Sequence, residues 1–344
     1  MNEPFEKNDV KIAVVGGGTG SFTLLSELKK HTKQLAAIVN MVDDGGSTGV
    51  LRDELGVLPP GDIRQCLVAL SDSPKMRELF NYRFEEGMLA GHPFGNIFLT
   101  ALEKMDGNFD DAVRTASEIL RVNGTVIPAT LDNVRLKMEW PEASVILNGE
   151  REIAADYFKY DPRRATLSLV PKAVANPTAL AAIKKADIVV ISPGDLYSSL
   201  GPLLIIDGIA EALKHTNAIC VYVSNLVTKH GQTDGFSVSD HVAEIERFVG
   251  AHFLDYVLYN EQVPSKDVAK RYKAEDAYLV KFDKSKLEKA TYVSIPGQFL
   301  GDMAVRKRSD RLLAKRSLIR HDGVAIAKAI MKLELDSKRI TDYE

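Results

Sequence analysis

The chain reads as an α/β protein with a doubly wound, mostly parallel Rossmann-like sheet, a helical insert and a small antiparallel β subregion. Three observations predict this. Short β-branched runs recur and end in polar, glycine-bearing loops; apolar residues at helical spacing separate those runs; and one central stretch changes to a period of two. At 344 residues, 45% hydrophobic and 26% charged, the chain can bury a large core, and a disordered, collagenous or disulfide-framework protein is excluded. We read a single α/β domain over 1–344, with a helical insert or cover at 63–122 and a β-rich subregion at 126–170.

The first apolar run, Val10 to Val15, breaks at Gly16-Gly17-Gly18-Thr19-Gly20 before a helical pattern through Leu24, Leu25 and Leu28. A second predicted strand, Leu35 to Val42, follows at βαβ spacing and ends in Asp43-Asp44-Gly45-Gly46-Ser47-Thr48-Gly49. Two polar loops therefore leave the same end of one sheet. From Ile63 to Val122 the spacing of Leu67, Leu70, Phe80, Leu102 and Leu120 is helical. Between Val126 and Val170 the period becomes two, as in Val134, Leu136, Met138 and Trp140, and Asn148-Gly149 is a hairpin signal. A helix through Leu180 and Ile183 then leads to a buried run, Asp187 to Ile191, which stops at Ser192-Pro193-Gly194-Asp195. The rhythm continues with a predicted helix from Leu203 to Leu213 and a strand from Ala218 to Val223, ending in Ser224-Asn225. The tail adds a predicted helix near Lys266 to Tyr272, short strands near Leu279 and Tyr292, and a last helix from Gly323 to Leu335.

Charge and cysteine usage narrow the partners. Lys and Arg number 44 against 47 Asp and Glu, a net charge of −3, so no global positive field draws the chain to nucleic acid or an anionic membrane. A bound phosphate must be met locally. Cys66 and Cys220 stand far apart without a Cys/His cluster, which predicts a reducing compartment and no zinc site. The start of the chain is acidic, and nowhere does an apolar run approach the roughly 18 residues a membrane span needs. A cytoplasmic protein without membrane insertion is expected.

The loops carry the chemistry. Gly16 to Gly20 remove side chains where a strand meets a helix, so backbone N–H groups can face a phosphate or diphosphate. A dinucleotide fingerprint would need a third glycine where Ser21 stands, and no Walker lysine follows, so a nicotinamide-dependent oxidoreductase is disfavoured. Asp43 and Asp44, one βαβ unit later, are two adjacent acids, able to hold Mg²⁺ in front of a diphosphate. Pro59-Pro60-Gly61-Asp62-Ile63-Arg64 puts Asp62 where a helix cap belongs and offers Arg64 for bidentate phosphate binding. In Gly91-His92-Pro93-Phe94-Gly95-Asn96, a lone histidine is more often structural, and Asn96 is the better ligand contact. Ser192, Gly194 and Asp195 form a ligand loop at the carboxyl edge, with Asn225 in the next one. Neither loop carries a nucleophile elbow or an evident base. A basic run from Arg306 to Arg316 reads as solvated surface, while Arg320-His321-Asp322 stands where a ligand phosphate could be approached.

Taken in order, the motifs Gly16 to Gly20, Asp43 to Gly49, Pro59 to Arg64, Gly91 to Asn96 and Ser192 to Ser199 resemble the YvcK-type gluconeogenesis factor family. That family is similar to the CofD-type 2-phospho-L-lactate transferases. The resemblance covers about residues 10 to 335. It implies a UDP-sugar or related nucleotide diphosphate as ligand and a regulatory role in cell shape on gluconeogenic carbon. The transferase side implies Mg²⁺-dependent transfer of a phospholactate group, with acids at Asp43 or Asp44 and at Asp62 as metal ligands. Tyr272 and Arg320 fall in segments that resemble the family's sugar-nucleotide contacts. The Asp-Asp-Gly-Gly-Ser-Thr-Gly and Pro-Pro-Gly-Asp-Ile-Arg runs resemble the factor side, so binding is favoured over turnover, Mg²⁺ is not expected to be obligatory, and a homodimer is a further expectation.

Overall fold

A computed structural model describes residues 9–155, 157–265, 269–270, 272, 276–301 and 320–341, with side chains in the last helix described to 333. The main sheet has seven strands, all parallel: β1 Ile12–Gly16, β2 Leu35–Val39, β3 Thr125–Pro128, and, after the three strands of a second sheet, β7 Ile188–Ile191, β8 Ile219–Val223, β9 Tyr256–Asn260 and β10 Val293–Gly297. Their order is β10-β9-β8-β7-β1-β2-β3, so the winding reverses between β1 and β7. The second sheet is antiparallel, β5-β4-β6, made of β4 Arg135–Trp140, β5 Val145–Asn148 and β6 Thr166–Val170.

Parallel strands covered on both faces must be apolar at every position, and β1 and β7 are buried throughout. Alternate residues feed two cores. Ala13, Val15, Val189 and Ile191 point to one, while Ile12, Val14, Ile188 and Val190 point to the other. The second core is covered by α1 Gly18–Leu28, by the helices Pro60–Leu70, Phe94–Asp106 and Phe109–Leu120, and by the C-terminal helix Gly323–Thr341. The first holds the small sheet and the helix Val238–Val249.

Several elements differ from the sequence reading. Thr125–Pro128, at the start of the period-two stretch, joins the main sheet beside β2, because Val126, Ile127 and Pro128 are all buried whereas β4 alternates. The predicted helix from Leu203 to Leu213 is broken into a turn Gly201–Leu204, which follows a π-helical turn Leu196–Leu200, and a helix Ile209–Lys214. Backbone exchange pulls residue 207 out of the helix: the Ala175 N–H donates to the Asp207 carbonyl at 2.9 Å, and the Asp207 N–H to that of Ala173 at 3.1 Å. Leu279 makes a single bridge to Val227, and the strand near Tyr292 begins at Val293. Most of the helix expected at Lys266 to Tyr272, and the basic run from Arg306 to Arg316, lie outside the described residues.

Candidate functional site

Ligands of doubly wound sheets sit beyond the carboxyl ends of the strands, where the winding reverses. A cleft of about 780 Å³ opens there, between the loops after β1 and β7. Its floor is Gly17, Gly18, Thr19 and Gly20. Helix α1 starts at Gly18, whose φ of 62° suits glycine, and Gly17 supplies no side-chain cap. The first turn of α1 therefore lines the cleft with no side chain at its own N-cap, and the Asp62 carboxylate lies beside it. A Cβ on Gly20 would stand 1.9 Å from the Pro193 carbonyl oxygen, so only glycine lets the two loops come this close. Ser21, which replaces a fingerprint glycine, ties them: its hydroxyl lies 2.9 Å from that of buried Ser192.

Carboxylates gather on the β1–β2 side. Asp43 and Asp62 line the cleft, Asp43 accepting the Gly45 N–H at 2.9 Å and Asp62 accepting from Gln65 Nε2 at 3.2 Å. A Cβ on Gly17 would meet Asp62 Oδ2 at 2.4 Å, and one on Gly61 would meet Asp43 Oδ2 at 2.7 Å. Glu150, at the start of the short helix Glu150–Ala155, completes the group. Burial, and then the charges of Asp43, Asp44, Asp62 and Asp195, push its carboxyl up to about 8. Asp44 does not line the cleft. It caps the helix Glu150–Ala155, accepting the N–H groups of Glu150 at 3.2 Å and Arg151 at 2.7 Å, and it pairs with Arg135 at 3.3 Å. Of the three predicted metal ligands, the structure thus brings Asp43 and Asp62 into the cleft and turns Asp44 to the small sheet. Both cleft carboxylates are hard oxygen donors of the kind Mg²⁺ takes. Among the described residues no group of three metal-competent side chains comes together, so a cation there would draw further ligands from phosphate or water.

Arg64 and Asn96 brace the cleft from behind. Two positions apart on one helix, Asp62 and Arg64 cannot share a face, and Arg64 points inward. Its Nε donates to Asn96 Oδ1 at 2.9 Å and its Nη1 to Asn81 Oδ1 at 2.5 Å. Asn96 Nδ2 in turn donates to Ser47 Oγ at 3.1 Å, and that hydroxyl meets His92 Nδ1 at 2.8 Å. One polar chain joins three of the motif loops.

The β7–β8 side of the cleft includes Gly194, Asp195, Asn225, Lys229, Arg320 and His321. Asn225 clamps Gly194, accepting its N–H at 3.2 Å and donating to its carbonyl at 2.9 Å. Lys229 Nζ lies 2.5 Å from Asp195 Oδ2. His321 Nε2 is 3.0 Å from the Ser224 carbonyl, and burial pulls the imidazole down to about 4. It is therefore a neutral donor at physiological pH. Tyr272 is packed against Leu226 outside the cleft lining, its hydroxyl pushed up to about 12 by burial.

Sequence reasoning missed Glu150, Lys229 and Asn40. Asn40 is 2% exposed, lines the cleft beside Gly17, and its Oδ1 has no hydrogen-bond partner among the described residues. Its place at the end of a strand, one βαβ unit after the glycine loop, was the available signal.

A doubly wound α/β protein with its ligand cleft at the switch point is the class defined by this fold and site. Residues 12–300 match the family described as 2-phospho-L-lactate transferase CofD. A Clostridium acetobutylicum protein is 40% identical over 341 residues, 97% of this chain and 73% of the relative. The gluconeogenesis factor of Listeria innocua is 38% identical over 307 residues, 88% of this chain and 93% of its own. The crystal structure of a Bacillus halodurans member of the UPF0052 family superposes with a TM-score of 0.82 at 36% identity, covering 93% of this chain and 99% of that one. The chain belongs to the gluconeogenesis factor family, within the CofD type. Among the described residues no helix is long and apolar enough to cross a membrane.

Proposed function

We propose that the protein binds a UDP-sugar as a regulatory ligand and acts as a gluconeogenesis factor, supporting cell shape on gluconeogenic carbon in the cytoplasm. The observation that carries this is the glycine-rich first turn of α1: Gly17 has no side chain at the N-cap, and Gly17 to Gly20 line a cleft at the switch point. The diphosphate lies on Gly17 to Gly20, and the sugar extends toward Asn225 and Arg320. Regulation follows if the ligand prefers one of two conformations or partner states, since only differential affinity shifts such an equilibrium.

A second reading, Mg²⁺-dependent transfer of a phosphate-containing group, is favoured by one feature, the carboxylates of Asp43 and Asp62 beside the phosphate loop. Mg²⁺ held there would neutralise charge on a diphosphate, and positioning alone would then do most of the work.

The test is thermal unfolding with UDP-N-acetylglucosamine, UDP-glucose, GDP, GTP and NAD, each with and without Mg²⁺. Ligand at a hundredfold over its Kd adds about 2.7 kcal/mol, which raises the midpoint of a chain this long by about 4 °C. A UDP-sugar shift that is indifferent to Mg²⁺, with no product on incubation, supports the binding reading. A shift confined to guanine nucleotides with Mg²⁺ overturns it in favour of transfer.

A further inference from the structure

We propose that Lys229 is the side chain that receives the ligand's diphosphate, exchanging the Asp195 carboxylate for phosphate oxygens when the cleft fills. This rests on the nucleotide-cleft reading and adds a residue and an exchange that the motifs did not reveal.

Lys229 and Asp195 line the same cleft as Gly18 and Thr19, the first residues of the phosphate-facing helix. The backbone of Lys229 is fixed. Its N–H donates to Thr233 Oγ1 at 2.8 Å, its carbonyl accepts from Gln232 and Thr233 at 3.0 and 2.9 Å, and the preceding Thr228 N–H donates to the Tyr278 carbonyl at 2.7 Å. The long side chain is the part left to move. Its ammonium lies 2.5 Å from Asp195 Oδ2, with the two side chains 27% and 41% exposed. An ion pair so open to water is held weakly, and a diphosphate carries more charge than one carboxylate. The exchange therefore runs toward phosphate.

Charge in the rest of the cleft makes such a cation necessary. Asp43 and Asp62 line the β1–β2 side, where they repel an anion. Among the described lining residues, the lysine and arginine are Lys229 and Arg320, and both stand on the β7–β8 side. Asp195 keeps the ammonium extended into the cleft before the ligand arrives.

The experiment is calorimetric titration of the full chain with UDP-N-acetylglucosamine and, separately, with inorganic pyrophosphate, for the wild type, Lys229→Ala, Lys229→Arg and Asp195→Asn. Lys229→Ala is expected to weaken both ligands by about tenfold or more, and Lys229→Arg by no more than about threefold. Asp195→Asn, lacking the competing carboxylate, should bind at least as tightly as wild type. Unchanged unfolding midpoints show that the variants are folded, as expected for a half-exposed pair. If the wild type binds the UDP-sugar and Lys229→Ala binds it equally well, the Lys229 assignment falls and the nucleotide reading stands. Pyrophosphate binding that needs Lys229, with no UDP-sugar binding, keeps the assignment and overturns the nucleotide reading. Weaker binding by Asp195→Asn overturns the exchange, and no binding of either ligand overturns both.

Discussion

Asp44 Oδ1 accepts the Arg151 backbone N–H at 2.7 Å across 107 residues of sequence, and Oδ2 takes the Glu150 N–H at 3.2 Å. This carboxylate fixes the helix that carries Glu150 against the loop after β2, and so sets the acidic side of the cleft. Asp44→Ala leaves two N–H groups without their acceptor and Arg135 with one fewer of its carboxylate partners, Asp53 remaining, which should cost about 1–3 kcal/mol and lower the unfolding midpoint by roughly 1–4 °C. Asp44→Asn, which can still accept, should lose less. An Asp44→Ala protein with an unchanged midpoint but no Mg²⁺ response would reverse the assignment, making Asp44 a metal ligand and not a cap.

Close approach, not backbone freedom alone, sets the glycines of the switch point apart from others. A Cβ on Gly20 lands on the Pro193 carbonyl, a backbone atom that moves only if the whole loop moves. Gly46 is a useful contrast: its φ is 46°, but nothing stands within 4 Å of a Cβ there. Gly20→Ala should therefore cost about 1–3 kcal/mol or more and abolish ligand binding, whereas Gly46→Ala should cost about 1 kcal/mol of left-handed strain and keep it. Denaturant unfolding with a ligand titration checks both. Equal losses at the two positions would show that loop approach is not what Gly20 secures.

Where physics is local, the sequence was legible. The β-branched runs through Val14 and Val190 and the glycine loop after the first of them placed the sheet and the glycine floor of its cleft. Side-chain direction was not legible. Asp44 and Arg64 carry the right chemistry beside the right loops, but Asp44 is claimed by amides about a hundred residues away and Arg64 by Asn96 and Asn81. Glu150 and Lys229 lie in segments with no motif, and only tertiary packing brings them to the cleft. The helix from Val238 was readable and overlooked: Ser237 and Asp240 form a capping box before Val242, Ile245 and Phe248.

Two cleft residues titrate in opposite senses. Glu150, raised to about 8, is favoured in its protonated form by the fold, so the folded state binds the extra proton and stability falls as pH rises from the ordinary carboxyl range to about 8. His321, lowered to about 4, is favoured neutral, so its contribution is complete above the ordinary imidazole value and is lost as pH falls toward 4. The two oppose each other below about pH 6.5, and above it Glu150 acts alone. The unfolding midpoint should decline between pH 6.5 and 8, and Glu150→Gln should remove most of that decline. A midpoint of Glu150→Gln that follows the wild type through this window would mean that Glu150 ionises normally.

Asn225 offers the sharpest separation of site geometry from stability. Its amide closes both polar groups of Gly194, and Tyr222 donates to the same Oδ1 at 3.3 Å, so three groups converge on one side chain. Asn225→Ala deletes the clamp and frees the loop that carries Asp195; about 1–2 kcal/mol of stability should go with it. Asn225→Asp keeps the acceptor for the Gly194 N–H and for Tyr222 but sets a carboxylate oxygen against the Gly194 carbonyl, where Nδ2 had donated at 2.9 Å. That repulsion pushes the loop away from β8 and adds a negative charge to the cleft. Asn225→Asp should therefore bind UDP-N-acetylglucosamine more weakly than Asn225→Ala, by about tenfold, although its unfolding midpoint is no lower. Faster amide exchange across 192–199 in both variants marks the loosened loop. If Asn225→Asp bound better than Asn225→Ala, position 225 would act through the Gly194 N–H alone.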